Sequence, residues 1–99
     1  MTFNILRSAG VVEMISDCNA AGISAEWLVF GSVARGKPLP EDIDLLCLVE
    51  SYDHRAKIVF VCEAFLLSAP IHLRILSRQD EARLRFIERS DARPVERAL

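Results

Sequence analysis

Few cysteines and no long apolar run mark this sequence, and each shortage closes off a class of protein. Cys18, Cys47 and Cys62 are an odd number at wide spacing, each inside an apolar pattern. They suggest neither a disulfide framework nor a zinc site, and buried, inert thiols are expected. The most apolar stretch, Ile58 to Leu67, contains Glu63 and is about half of what a membrane span needs. The N-terminus has no positive region followed by an apolar run and a small-residue cleavage site, so a soluble cytoplasmic protein is expected, with no membrane association.

Neither sign of charge dominates. The net charge is −2, with five Lys/Arg against nine Asp/Glu in residues 1–73 and seven Arg against five Asp/Glu in residues 74–99. Such a balance argues against a dedicated duplex-DNA binder, whose affinity comes from many Lys/Arg contacts to phosphate, and leaves only a local arginine patch for a nucleotide or an RNA end. What is present is ordinary: 99 residues, 52% hydrophobic and 26% charged, enough for one folded domain with one core. Residues 1–90 are expected to form it, with residues 91–99, which offer Pro94 and no sustained pattern, as a loose tail.

Apolar residues at mostly helical spacing from Ile5 to Ile15 predict a helix over residues 3–21, stopped by Gly22. Trp27 to Phe30 is a short apolar run ending at Gly31 and reads as a buried strand entering a tight turn. Ser32 to Arg35 fits one helical turn before Gly36, and Pro38 and Pro40 mark an irregular loop. Asp42 to Val49 predicts a strand buried on both faces in its later part. Ser51 or Asp53 can cap a helix to about Leu67 that is apolar on nearly every side over its second half. Pro70 to Leu76 alternates apolar and polar residues, as a strand with one wet face does. Ser77 resembles the cap of a last helix ending near Ser90, on which Arg78, Arg83, Arg85 and Arg89 read as a solvated face.

The chemistry concentrates in two short segments. After a buried strand, Gly31 lets the backbone turn sharply and approach a ligand closely, because it has no Cβ. Ser32 then opens a helical turn whose free N–H groups suit phosphate oxygens, and Arg35 can add a charged fork to the same phosphates. Asp42 and Asp44, two apart on a strand, project from one face with Ile43 turned inward. Carboxylates that close repel each other, which favours a divalent cation between them.

Together, in this order and on these elements, Phe30-Gly31-Ser32-Val33-Ala34-Arg35-Gly36 and Glu41-Asp42-Ile43-Asp44-Leu45 resemble the minimal nucleotidyltransferases of the DNA polymerase beta-like superfamily. The motif covers Leu28 to Leu48, and the element order extends the match to about Ser90. The resemblance implies an α/β (α+β) fold, the polymerase beta-like nucleotidyltransferase fold, with a small mixed sheet of three or more strands flanked by helices. It implies ATP or another nucleoside triphosphate and Mg²⁺ (or Mn²⁺) as ligands. Asp42 and Asp44 would be the catalytic metal ligands, and Gly31, Ser32 and Arg35 the phosphate holders. The implied reaction moves a nucleoside monophosphate, AMP from ATP in the first instance, to a protein or nucleic-acid hydroxyl. It also implies a partner, since small members are often encoded beside a HEPN-domain protein in toxin-antitoxin pairs, where some transfer AMP onto the toxin.

One departure weakens the match. Fully active members carry a third carboxylate on the following strand, whose wet face here offers His72 and Arg74. Histidine can ligate a metal or act as a base near neutral pH, whereas Arg74 would partly cancel the charge of the Asp pair. The rival expectation is therefore a catalytically degraded binding subunit or antitoxin acting through a HEPN-like partner. The apolar helix from Ile58 to Leu67 fits such a partner or a homodimer.

Overall fold

Leu45, Leu46, Cys47, Leu48 and Val49 follow one another without a polar interruption, and a strand can bury such a run only if both of its faces are covered. The computed structural model, which describes residues 4–36 and 42–99, makes this run the strand β2 (Ile43–Val49), in the interior of a four-stranded sheet. Pro38, Pro40 and Glu41, the loop read from the sequence, and the expected helix start at residue 3 lie outside the described residues. β2 pairs antiparallel with β1 (Glu26–Phe30), bringing Phe30 opposite Asp44. It pairs parallel with β3 (Ile71–Ser77), bringing His72 opposite Asp44. The parallel pair needs a crossover, which α4 (Arg55–Ser68) supplies after a short 3₁₀ turn in which the Ser51 hydroxyl accepts from the Asp53 N–H.

Side chains alternate across the sheet. Ile43, Leu45, Cys47 and Val49 face one way and join the main core with Leu6, Val11, Met14 and Cys18 from the N-terminal helices and Ile58 and Cys62 from α4. Leu46 and Leu48 face the other way and form a smaller cluster with Leu28, against which Phe30, Leu76, Phe86, Ile87 and Ala92 pack. All three cysteines are buried. Cys18 and Cys62 bring their sulfurs within 3.6 Å where the N-terminal helices meet α4.

Three expectations are corrected. The first helix is two, α1 (Ile5–Ser8) and α2 (Val11–Ala20), because Gly10 turns left-handed at φ +84° under the Phe65 ring, which a Cβ there would meet at 3.3 Å. The last helix also breaks, at Arg85 with φ 54°, into α5 (Arg78–Leu84) and α6 (Phe86–Ser90). Its start is capped by Ser77, whose hydroxyl accepts from the Asp80 N–H at 3.1 Å. Finally, the C-terminal residues are not a loose tail. β4 (Arg93–Pro94) extends the sheet beside Leu28 and Val29, and α7 (Val95–Ala98) follows, with Val95 only 4% exposed. Pro94 reads as a breaker in sequence, yet proline is tolerated on an edge strand where no ladder partner needs its missing N–H. Asn4 ties the two ends of the chain together by donating to the Ala98 carbonyl at 2.8 Å.

Candidate functional site

β1 ends at Phe30 and the chain turns at once into α3 (Gly31–Ala34). Gly31 sits at φ +70°, in the left-handed region, and a Cβ there would run into Oδ2 of Asp44. Only glycine permits this approach, which follows from the pairing of Phe30 with Asp44 across β1 and β2. The first N–H groups of a helical turn have no carbonyl behind them, and among the described residues no side chain at Phe30 caps those of α3. Arg35 closes the turn with its N–H on the Gly31 carbonyl at 3.2 Å. Its side chain is exposed and makes no ion pair among the described residues.

The carboxylates stand at the start of β2. Ile43 is buried in the main core at 1% exposure, so Asp42 and Asp44 on either side of it turn to the opposite face. Asp44 keeps 28% of its side chain exposed and Asp42 50%. His72 faces both from β3: its Nδ1 lies 3.5 Å from Oδ1 of Asp44 and its Nε2 lies 3.8 Å from Oδ1 of Asp42. A protonated imidazole in this place would partly neutralise the pair; a neutral one presents a single lone pair to solvent or ligand.

Arg74 is two residues farther along the same face of β3 but does not join the carboxylates. Its guanidinium lies over the Phe86 ring, 4.9 Å from the centroid, and Phe86 meets Phe30 edge-on with centroids 5.0 Å apart. Of the two candidates for the third position, the structure brings His72 to the Asp pair and takes Arg74 away from it. Sequence reading missed the aromatic pair. Phe30 read as a strand residue and Phe86 as part of a helix face, and they meet only because the break at Arg85 turns α6 back over the sheet.

Among the described residues, no group of three or more His, Cys, Asp or Glu side chains is arranged to hold a metal ion by itself. Mg²⁺ asks less of a protein: one or two carboxylates, with the remaining ligands from substrate phosphates and water. Asp42 and Asp44 on one face, beside a turn that leaves no Cβ against Asp44, fit that smaller share. Among the described residues no helix is long and apolar enough to cross a membrane. A family model described as a nucleotidyltransferase domain matches residues 12–95. No curated protein and no solved structure matches the chain.

Proposed function

This chain belongs to the nucleotidyltransferase domain family, and we propose that it moves a nucleoside monophosphate, AMP from ATP in the first instance, onto an acceptor hydroxyl at Asp42 and Asp44. Family membership gives a role in nucleotidyl transfer; the donor, the divalent metal and the residue roles are the proposal. The observation that carries it is the direct approach of the Gly31 backbone to the Asp44 carboxylate, which sets the uncapped N–H groups of α3 beside the acidic pair. Phosphates seated on that turn would lie against a metal held by the carboxylates.

In the reaction, the acceptor oxygen bonds to the α-phosphorus as the bond from that phosphorus to the bridging oxygen breaks and pyrophosphate leaves. Asp42 and Asp44 would hold a divalent ion, which neutralises the triphosphate and stabilises the leaving group when bound. Ser32 and Arg35 donate to the terminal phosphates. The hydroxyl proton would pass to Nε2 of His72, whose Nδ1 faces Oδ1 of Asp44 at 3.5 Å. Titration of ATP into the protein with and without Mg²⁺, repeated on Asp42→Asn/Asp44→Asn, tests the reading. Metal-dependent binding that vanishes in the variant is expected, and binding indifferent to both metal and variant overturns it.

Two observations favour a second reading, a degraded family member serving as an antitoxin or a subunit of a HEPN-like protein. The exposed positions of β3 beyond Ile71 are His72 and Arg74 and include no carboxylate, and on α4 Phe60 is 78% and Leu67 82% exposed. Co-purification with a HEPN-domain protein encoded beside it, lost on Phe60→Glu, supports this reading. A chain that stays monomeric and ignores such a protein counts against it.

A further inference from the structure

Two guanidiniums with no acidic partner among the described residues share one pocket, on the face of β3 that also carries His72. Arg74 of β3 and Arg89 of α6, with Leu84, Phe86 and Ser90, line an open pocket of about 310 Å³. Neighbouring arginines are compensated: Arg78 by Glu26 and Glu50, Arg83 by Asp80, Arg85 by Glu88 and Arg93 by Asp91. Cations gathered in one pocket without an ion-pair partner attract an anionic ligand, because no carboxylate in contact neutralises them.

The pocket adjoins the site. Arg74 lies two residues beyond His72 on the same face, a separation of about 7 Å along a strand. Its guanidinium is stacked on Phe86, and Phe86 touches Phe30, the residue paired with Asp44. A guanidinium lying on an aromatic ring keeps its outer face free to stack a base and its edge N–H groups free to bind phosphate. A carboxylate-rich peptide would use the charge and waste the flat surface, whereas a nucleotide unit uses both. The donor's phosphates already have the α3 turn and Arg35, so this second set of cations is surplus to the donor.

We propose that the pocket is an acceptor subsite that takes a nucleotide unit of a single-stranded nucleic-acid end. The base stacks on Arg74 and the phosphate sits between Arg74 and Arg89, with the terminal hydroxyl directed toward Asp42 and Asp44. The word acceptor rests on the transfer reading above; the binding itself does not.

The test is fluorescence anisotropy of a 5′-fluorescein-labelled single-stranded RNA decamer in a metal chelator, with wild type, Arg89→Ala and Arg74→Ala. It runs beside ATP titration with Mg²⁺ and anisotropy of a labelled glutamate peptide of equal charge. Each variant is expected to lose roughly tenfold in RNA affinity and about one unit of salt slope, as for one lost phosphate contact. ATP affinity is expected to stay unchanged and the peptide to bind negligibly. RNA affinity indifferent to both variants overturns the proposal. So does peptide binding with the same arginine dependence, which makes the acceptor a protein, or ATP affinity that falls while RNA affinity holds, which gives the pocket to the donor. Wild type that binds RNA through Arg89 yet binds no ATP sinks the transfer reading and leaves the nucleic-acid site standing.

Discussion

On one face of β2, Ile43, Leu45, Cys47 and Val49 are each at most 5% exposed; on the other, Leu46 and Leu48 are buried as well, and only the start of the strand is open, where Asp44 keeps 28% and the neighbouring Asp42 keeps 50% of its side chain in reach of water. A single strand thus supplies both the middle of the core and the acids of the site, because alternation assigns neighbours to opposite faces. The sealed face is a matter of packing. The open start of the other face is a matter of charge, and ionised carboxylates kept partly in water avoid the desolvation that full burial would impose. Substitutions should therefore separate, with stability answering to the buried positions and nucleotide chemistry to the open acids.

The largest effect belongs to the open acids. Asp42→Asn/Asp44→Asn is expected to lower Mg²⁺-dependent pyrophosphate release by about a thousandfold or more, since metal-held charge stabilisation supplies several kcal/mol. Its urea midpoint should match that of wild type. A variant that keeps its turnover would end the assignment of the acids, and one that unfolds would end the separation of the faces. Next is the sealed face: Leu45→Ala, at a fully buried position, should cost about 3 kcal/mol in urea unfolding through lost burial and a residual cavity. Turnover per folded molecule should survive it.

Gly31 is where the separation is expected to fail. Gly31→Ala places a side chain at φ +70° and against the Asp44 carboxylate. The left-handed backbone alone costs roughly 1–2 kcal/mol, and Asp44 must move to relieve the clash. Both unfolding midpoint and nucleotide affinity should fall, and a loss confined to either would show that turn and acid are less tightly joined than the geometry requires.

A gentler probe of the sealed face is alkaline pH. Burial first, then neighbouring sulfur, pushes the thiols of Cys47 and Cys62 up to about 12. The unfolded chain loses those protons in the ordinary thiol range, so above it the unfolded state binds fewer protons than the native state. Stability is then fully present below that range and falls as pH rises toward about 12. Urea midpoints should decline on the alkaline side, less steeply for Cys62→Ala. A midpoint that climbs with pH would contradict the sign.

The sequence made some of this legible and hid the rest for physical reasons. The turn at Gly31 and the shared face of Asp42 and Asp44 could be read because both depend on local geometry: a strand end without a Cβ, and a two-residue repeat on a strand. The place of His72 followed from strand alternation, but its nearness to both acids needed the β2–β3 register. The breaks at Gly10 and Arg85 were missed because apolar periodicity continues across them, and only contact with Phe65 or the turn of α6 shows why the chain bends. The C-terminal strand was missed because two residues, one of them a proline, carry no period, and what orders them is the edge of β1.

The smallest effect tests whether exposure on α4 belongs to the fold at all. Ile58 and Cys62 of this helix are fully buried, while Phe60, between them in sequence, is 78% exposed. Ile58→Ala should resemble Leu45→Ala, whereas Phe60→Ser should change monomer stability by less than about 0.5 kcal/mol, as for a surface position without a special contact. Unfolding at low and high protein concentration sharpens the contrast. If Phe60 is covered by a second copy, wild-type stability rises with concentration and that of the variant does not, because association stabilises only the folded state that forms it. A large loss at every concentration would instead place the Phe60 ring inside the fold, and the apolar outer surface of α4 would no longer be free for any partner.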